Sequence, residues 1–251
     1  MKGYFVAGTD TGVGKTEISR ALLLLLSEAG LRPLALKPVE TGCDPAAPED
    51  ALALRKAGGD RQSLDSICPY RFRLPAAPLV AAEAEGATID LALIEKLVAG
   101  AAQPIVVEAA GGLLVPLGRE LARESLEADE PDRAPAMALV TNLDLAERLG
   151  LPVLLVGRAG LGTLNHCALS AQALASRGLT LAAIVLNRVS PDDDPTVASN
   201  AALVAELTSA RVLGPTPFVR SAEERPRALL AVLSVLNGAV GNRVDASGAR
   251  R

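Results

Sequence analysis

"GTDTGVGKT", residues 8–16, lies between the apolar run "YFVA" and the leucine-rich "ALLLLL", and the architecture of the chain follows from it. Gly12 and Gly14 let the backbone curl so that its N–H groups face one point, a place an anion can occupy. Lys15 is then set to reach the β- and γ-phosphates of a nucleotide, and the Thr16 hydroxyl to meet Mg²⁺. The helix that begins at Lys15 aims its positive N-terminal end at the same anion. Strand, Gly-x-Gly-Lys-Thr and helix in that order point to a phosphate-binding loop made by Gly12, Val13, Gly14, Lys15 and Thr16. An ordinary strand-to-helix turn has no need of that order. The spacing is off by one, however. The usual pattern opens with a Gly where this chain has Thr9; its Gly sits one place earlier, at Gly8, and "TDT" forms an extra polar stretch.

Outward from the loop, short β-branched runs alternate with helical stretches. Strands are expected at 4–8, 32–39, 104–112, 179–189 and 211–218, and in the strand-then-glycine run 151–163. Helices are expected at 15–30, 48–58, 90–102, 164–178 and 196–210, and near 222–236. The strands are apolar on both faces, which implies a parallel sheet covered by helices. The expected fold is a single α/β doubly wound, P-loop NTPase-like domain over 1–236, its mostly parallel sheet flanked by helices on both faces. Residues 118–135 are charged and broken by Pro, as in a surface excursion or mobile segment. The tail 237–251 lacks a packing face and is expected to fray. In such folds ligands gather at the carboxyl ends of the strands, so the loops after Gly8, Pro38, Glu108, Gly157 and Asn187 should converge on one rim.

Composition removes several functions. Aromatics make up only 2% of the 251 residues and Trp is absent, so single-stranded nucleic acid has no stacking platform. The formal net charge of −4 gives no basic footprint for nucleic acid or a membrane surface. Cys43, Cys68 and Cys167 are far apart, with the spacing of neither a zinc site nor a disulfide framework. No apolar run is long enough to span a membrane, and the N-terminus enters a strand without a signal-peptide pattern. A soluble, cytoplasmic protein is expected.

The other strand ends supply the candidate chemistry. In "KPVETG" (37–42) Lys37 can neutralise charge on a transferring phosphoryl group, where the plain alternative is a solvated edge lysine. Thr41 offers a hydroxyl from the same loop. Glu108 ends the apolar run "PIVVE" beside the loop, where a carboxylate suits Mg²⁺ better than it suits an exposed turn. Asp50 reads equally as a second metal ligand or as an acid in the first turn of a helix. "GLGTLNHC" (160–167) places two glycines and Thr163 before a helix, another anion-friendly N-terminus. His166, the only histidine, is a candidate base, although a lone His near a helix start more often has a structural role. Asn187 could bond a nucleotide base through its amide or cap a turn.

Taken together, these pieces resemble the dethiobiotin synthetase family. "GTDTGVGKT" matches that family's GTDT-x-VGKT signature, and "KPVETG" matches its KPV-x-(S/T)-G. "DALAL" (50–54) occurs as in the family, "VEAAGG" stands for VEGAGG, and "GTLNHCAL" for G-x-x-NHA-L. The similarity spreads from residue 3 to about 218, with Ala109 departing from a family glycine. The resemblance implies an ATP- and Mg²⁺-dependent ring closure on 7,8-diaminononanoate. A carbamate formed with CO₂ would be phosphorylated by ATP, and the second amine would close the cyclic urea. It implies that Thr11, Lys15, Lys37 and Thr41 surround the carbamate and γ-phosphate, with Gly111 on the substrate side. Thr16, Asp50 and Glu108 would hold Mg²⁺, while Asn187 and Pro217 would attend the nucleotide base. The backbone of Thr163, Leu164 and Asn165 would take the substrate carboxylate across a homodimer interface, which relieves His166 of a catalytic task. Two other readings compete. A partitioning or targeting ATPase would carry a second Lys early in the loop, where this chain has Thr9–Asp10–Thr11. A corrinoid-type amidotransferase would need a further glutamine-hydrolysing domain.

Overall fold

The computed structural model describes residues 2–121, 136–192 and 194–236. In chain order, β1 (Gly3–Gly8) leads through the glycine loop to α1 (Lys15–Glu28), followed by β2 (Leu34–Leu36) and β3 (Val39–Thr41). Next come α2 (Glu49–Ala57), α3 (Leu64–Ile67), β4 (Tyr70–Phe72), α4 (Pro78–Ala84) and α5 (Leu91–Ala99). The middle of the chain forms β5 (Ile105–Gly112), β6 (Pro116–Leu121), β7 (Met137–Thr141) and α6 (Asn142–Leu149). The last third forms β8 (Val153–Arg158), α7 (Thr163–Ser176), β9 (Leu181–Asn187), α8 (Val197–Thr208), β10 (Val212–Leu213) and α9 (Arg225–Leu233).

Six strands form one parallel sheet in the order β10-β9-β8-β1-β5-β2. The period of two along each strand divides its side chains between two cores. Phe5, Ala7, Val107, Leu155 and Ile184 face one core, which α5, α6, α7 and α8 close with Ile94, Leu145, Leu174 and Val204. Tyr4, Val6, Val106, Leu154 and Val185 face the other, which α1, α2 and α9 close with Leu22, Leu26, Leu54 and Leu229. Helices on both faces of a parallel sheet are the expected architecture, filled by aliphatic side chains as the low aromatic content requires. Among the described residues no helix is long and apolar enough to cross a membrane.

The run 32–39, expected as one strand, is two. Leu36 ends β2, the Lys37 N–H turns to the Ile67 carbonyl at 2.7 Å, and Pro38 has no N–H to offer a ladder. The chain then leaves the main sheet, and β3 pairs in parallel with β4. β10 stops at Leu213, because Pro215 and Pro217 cannot donate to a ladder. Residues 118–121 are not a free excursion: they belong to β6, paired antiparallel with β7. The rest of the expected excursion, 122–135, and the tail 237–251 lie outside the described residues.

Candidate active site

The loop after β1 is built on Gly14, which caps α1 at φ 89°, a left-handed conformation that favours glycine. A Cβ there would lie 2.1 Å from the Asn187 Nδ2, so the position has neither the backbone freedom nor the space for a side chain. The Lys15 chain folds back over Gly8, and its Nζ donates to the Asp10 carbonyl at 3.1 Å. Burial pushes the Lys15 ammonium below its ordinary range, and the Glu108 carboxylate only partly offsets this. An anion drawn to the loop would favour the charged form.

Across from the loop, β5 delivers Glu108 from its middle, not from its end as the run "PIVVE" suggested, because the strand continues to Gly112; none of the Glu108 surface is exposed. Its Oε1 accepts from the Thr16 hydroxyl at 2.8 Å and from the Lys37 ammonium at 2.7 Å. Lys37 also reaches the Asp50 Oδ2 at 2.7 Å, so one ammonium joins two carboxylates. Burial works against the Lys37 charge, but Glu108 and Asp50 outweigh it and hold the ammonium above its ordinary range. For Asp50, burial pushes the carboxyl up, and the ammonium of Lys37 overcomes this and keeps it below the usual carboxylate range. The sequence left Asp50 open between metal ligand and helix-start acid; it lies in the first turn of α2 with its carboxylate on Lys37.

Thr16, Asp50 and Glu108 are the residues that could hold Mg²⁺. All their donors are oxygens, and the Glu108 Oε2 is buried without a hydrogen-bond partner. Among the described residues no group of three or more His, Cys, Asp or Glu could cage a metal alone. Two carboxylates and a hydroxyl instead suit an ion that keeps waters and shares its shell with phosphates.

These groups stand at one end of a cavity of about 720 Å³. Thr11, Gly12, Gly14, Lys15 and Thr16 line its loop side, and Lys37, Glu40, Thr41, Asp50 and Glu108 its acid–lysine side. Val39, Val115, Pro75 and Pro78 add apolar wall, and Gly111 closes it beside Ala110. The glycine turn is held by Asn142, whose Nδ2 donates to the carbonyls of Ala110 at 2.7 Å and Gly112 at 2.8 Å. The Ala109 methyl, where the family has glycine, is buried in the core with Ala7 and Val107; Ala110, not Ala109, lines the cavity.

Other predicted residues lie elsewhere. Asn187 is buried against the loop: its Nδ2 donates to the Val13 carbonyl at 3.0 Å, and its Oδ1 accepts from the Thr216 hydroxyl at 2.7 Å. Pro217 is exposed immediately after Thr216. Thr163 is buried with its hydroxyl 3.4 Å from the Cys167 sulfur, while Leu164 is half-buried and Asn165 exposed in the first turn of α7. Thr163 borders a separate crevice of about 30 Å³ with Arg158, Leu161 and His166. Sequence reasoning missed Glu40, Asn142, Thr216 and Arg225, the last of which lines the cavity from the start of α9. Only Glu40 carried a signal, its place inside "KPVETG".

A parallel α/β sheet with a phosphate loop after its first strand, and an acid–lysine cluster on the same rim, defines a P-loop nucleotide-binding protein. A family model described as "AAA domain" matches residues 2–126 and 133–225. The chain is 48% identical to the ATP-dependent dethiobiotin synthetase BioD of Anaeromyxobacter dehalogenans strain 2CP-C, over 93% of this chain and 98% of that one. It is 46% identical to the protein of the same name from Anaeromyxobacter sp. strain K, over 93% and 97%, and 33% identical to that of Thermodesulfovibrio yellowstonii, over 86% and 89%. The chain belongs to the dethiobiotin synthetase family.

Proposed function

We propose that this chain is an ATP- and Mg²⁺-dependent ligase that converts 7,8-diaminononanoate and CO₂ to dethiobiotin, with release of ADP and phosphate. The observation that carries the reading is the Thr16–Glu108–Lys37–Asp50 cluster, which shares a cavity with the phosphate loop and with apolar lining from Val39, Val115, Pro75 and Pro78. The polar lining suits a nucleoside triphosphate, and the apolar lining suits a methylene chain.

In this reading one substrate amine adds to CO₂ and loses a proton, giving a carbamate. A carbamate oxygen attacks the γ-phosphorus of ATP, the bond to the ADP oxygen breaks, and a carbamic-phosphoric anhydride forms. The second amine then attacks the carbonyl carbon, phosphate leaves, and the cyclic urea closes. Lys15 and Lys37 neutralise charge on the transferring phosphoryl group, and Thr11 and Thr41 donate hydroxyls to it and to the carbamate. Thr16, Asp50 and Glu108 would hold Mg²⁺, which would supply charge neutralisation for the phosphoryl transfer. No covalent nucleophile is needed, so the rate comes from placement and charge. Asn187 has one Nδ2 hydrogen still to give, and with Pro217 it attends the base. The first turn of α7 takes the substrate carboxylate of a second copy in a cytoplasmic homodimer.

The test is direct. Purified protein should form dethiobiotin and consume ATP only when Mg²⁺, the diamine and bicarbonate are all present. ATP hydrolysis without the diamine, stimulated by DNA or lipid, would overturn this reading in favour of a nucleotide-switched ATPase.

A further inference from the structure

Two carboxylates are buried among the described residues, Glu108 and Glu40, and the reaction above gives Glu40 no task. Glu40 lies on β3 with 6% of its surface exposed. Its Oε1 accepts the Asp50 N–H at 3.1 Å, and its Oε2 accepts the Ala51 N–H at 2.9 Å. These are first-turn amides of α2, which have no partner within their own helix. The residue at the N-cap is Pro48, whose side chain has no acceptor to give them. A Ser or Asp at 48 would meet the need locally; here the task passes to a different strand.

The segment leading into that strand holds Asp50 from another direction. Three residues before Glu40, Lys37 binds the Asp50 carboxylate at 2.7 Å. Segment 37–40 therefore fixes Asp50 at two points, its main chain through Glu40 and its side chain through Lys37. Burial pushes the Glu40 carboxyl up, so keeping an acid there has a cost that an apolar residue would avoid. We propose that Glu40 is a positioning residue, a cap supplied from β3 that locks the first turn of α2 so that the Asp50 carboxylate stays in register with Lys37, Thr16 and Glu108. The inference rests on reading this cavity as a site for a metal-bound nucleotide.

Two variants test it: Glu40→Ala, and Glu40→Gln, which keeps the size and one acceptor. Mn²⁺ affinity is measured by electron paramagnetic resonance with a non-hydrolysable ATP analogue, and analogue affinity is measured separately in EDTA. Glu40→Ala should weaken Mn²⁺ by about tenfold, with Glu40→Gln between it and the parent. Binding of the metal-free analogue should stay within about twofold, because the phosphate loop is untouched. A purely structural cap would lower the melting temperature and leave the metal requirement alone. Parental Mn²⁺ affinity in folded variants, or equal weakening with and without metal, overturns the proposal. If Glu40→Ala does not fold, Glu40→Gln decides on the same measurements. A parent that binds Mn²⁺ and analogue but makes no dethiobiotin sinks the proposed reaction and leaves Glu40 to be judged on metal affinity. A parent that binds no Mn²⁺ with the analogue overturns the Glu40 proposal itself.

Discussion

Lys37 contributes to both stability and turnover, and the two can be separated. Its ammonium balances Glu108, which has no exposed surface, and Asp50, 2.7 Å away. Lys37→Ala should lower turnover by about 10²–10³ while nucleotide still binds, since it removes charge stabilisation rather than the phosphate loop. Unchanged turnover in steady-state assays would remove Lys37 from the reaction. The same variant strands Glu108 and should cost about 3 kcal/mol in urea unfolding. Adding Glu108→Gln should recover most of that stability and none of the activity. At Gly14 the limit is backbone and space together: φ is 89° and a Cβ would strike Asn187. Gly14→Ala should therefore abolish nucleotide binding by calorimetry, while Gly12→Ala, with open space around its Cβ, should weaken it less. Residues acting through side-chain chemistry within a motif, such as Lys15 in the phosphate-loop pattern, Lys37 just after β2 and Glu108 in the apolar run of β5, were legible in the sequence. Asn142 was not, because it acts on backbone groups of a remote segment and leaves no spacing pattern, and Glu40 had only its place inside "KPVETG", which does not say that it binds the amides of α2.

At the scale of elements, the alternation of strands and helices around the loop was readable because each strand is apolar on both faces and each long helix has a stripe. The segments without such patterns were not. α3 and β4 span four and three residues, too short for periodicity to register. β6 and β7 lie outside the main sheet, and three of the five β7 side chains are exposed. The start of α6 does carry a readable signal in Thr141 and Asp144, which form a capping box. For Asp144, burial pushes the carboxyl up, but the Thr141 amide at 2.7 Å, its hydroxyl at 2.8 Å and Arg177 outweigh this and hold it below its ordinary value of 3.8. A depressed folded-state pKa contributes stability above the ordinary value that is lost as pH falls through the folded one. Asp144→Ala should thus cost about 1 kcal/mol at pH 7, and the difference from the parent should shrink below about pH 4 and vanish in stronger acid. A difference that persisted unchanged at pH 2.5 in urea titrations would show that the contribution is not electrostatic.

For the whole molecule, one rim of a six-stranded sheet gathers the phosphate loop, Lys37 and Glu108, as the strand ends foretold. The first turn of α7 follows β8 on the same sheet, yet Thr163 borders its own crevice and not the large cavity. In the proposed reading, a substrate that spans from the acid–lysine cluster to that turn crosses between two copies of the chain. This makes the homodimer testable by complementation. Lys37→Ala disables the cluster. Asn165→Glu puts a carboxylate in the exposed first turn of α7, where it should repel the carboxylate of the substrate. Each variant alone should be inactive. When the two are unfolded together and refolded as an equal mixture, half the dimers are mixed, and each mixed dimer has one site with both parts intact. Activity should then recover to about a quarter of the parental value. No recovery, with mixed dimers confirmed by mass, would mean that each chain binds its substrate alone, and the first turn of α7 would lose its proposed role.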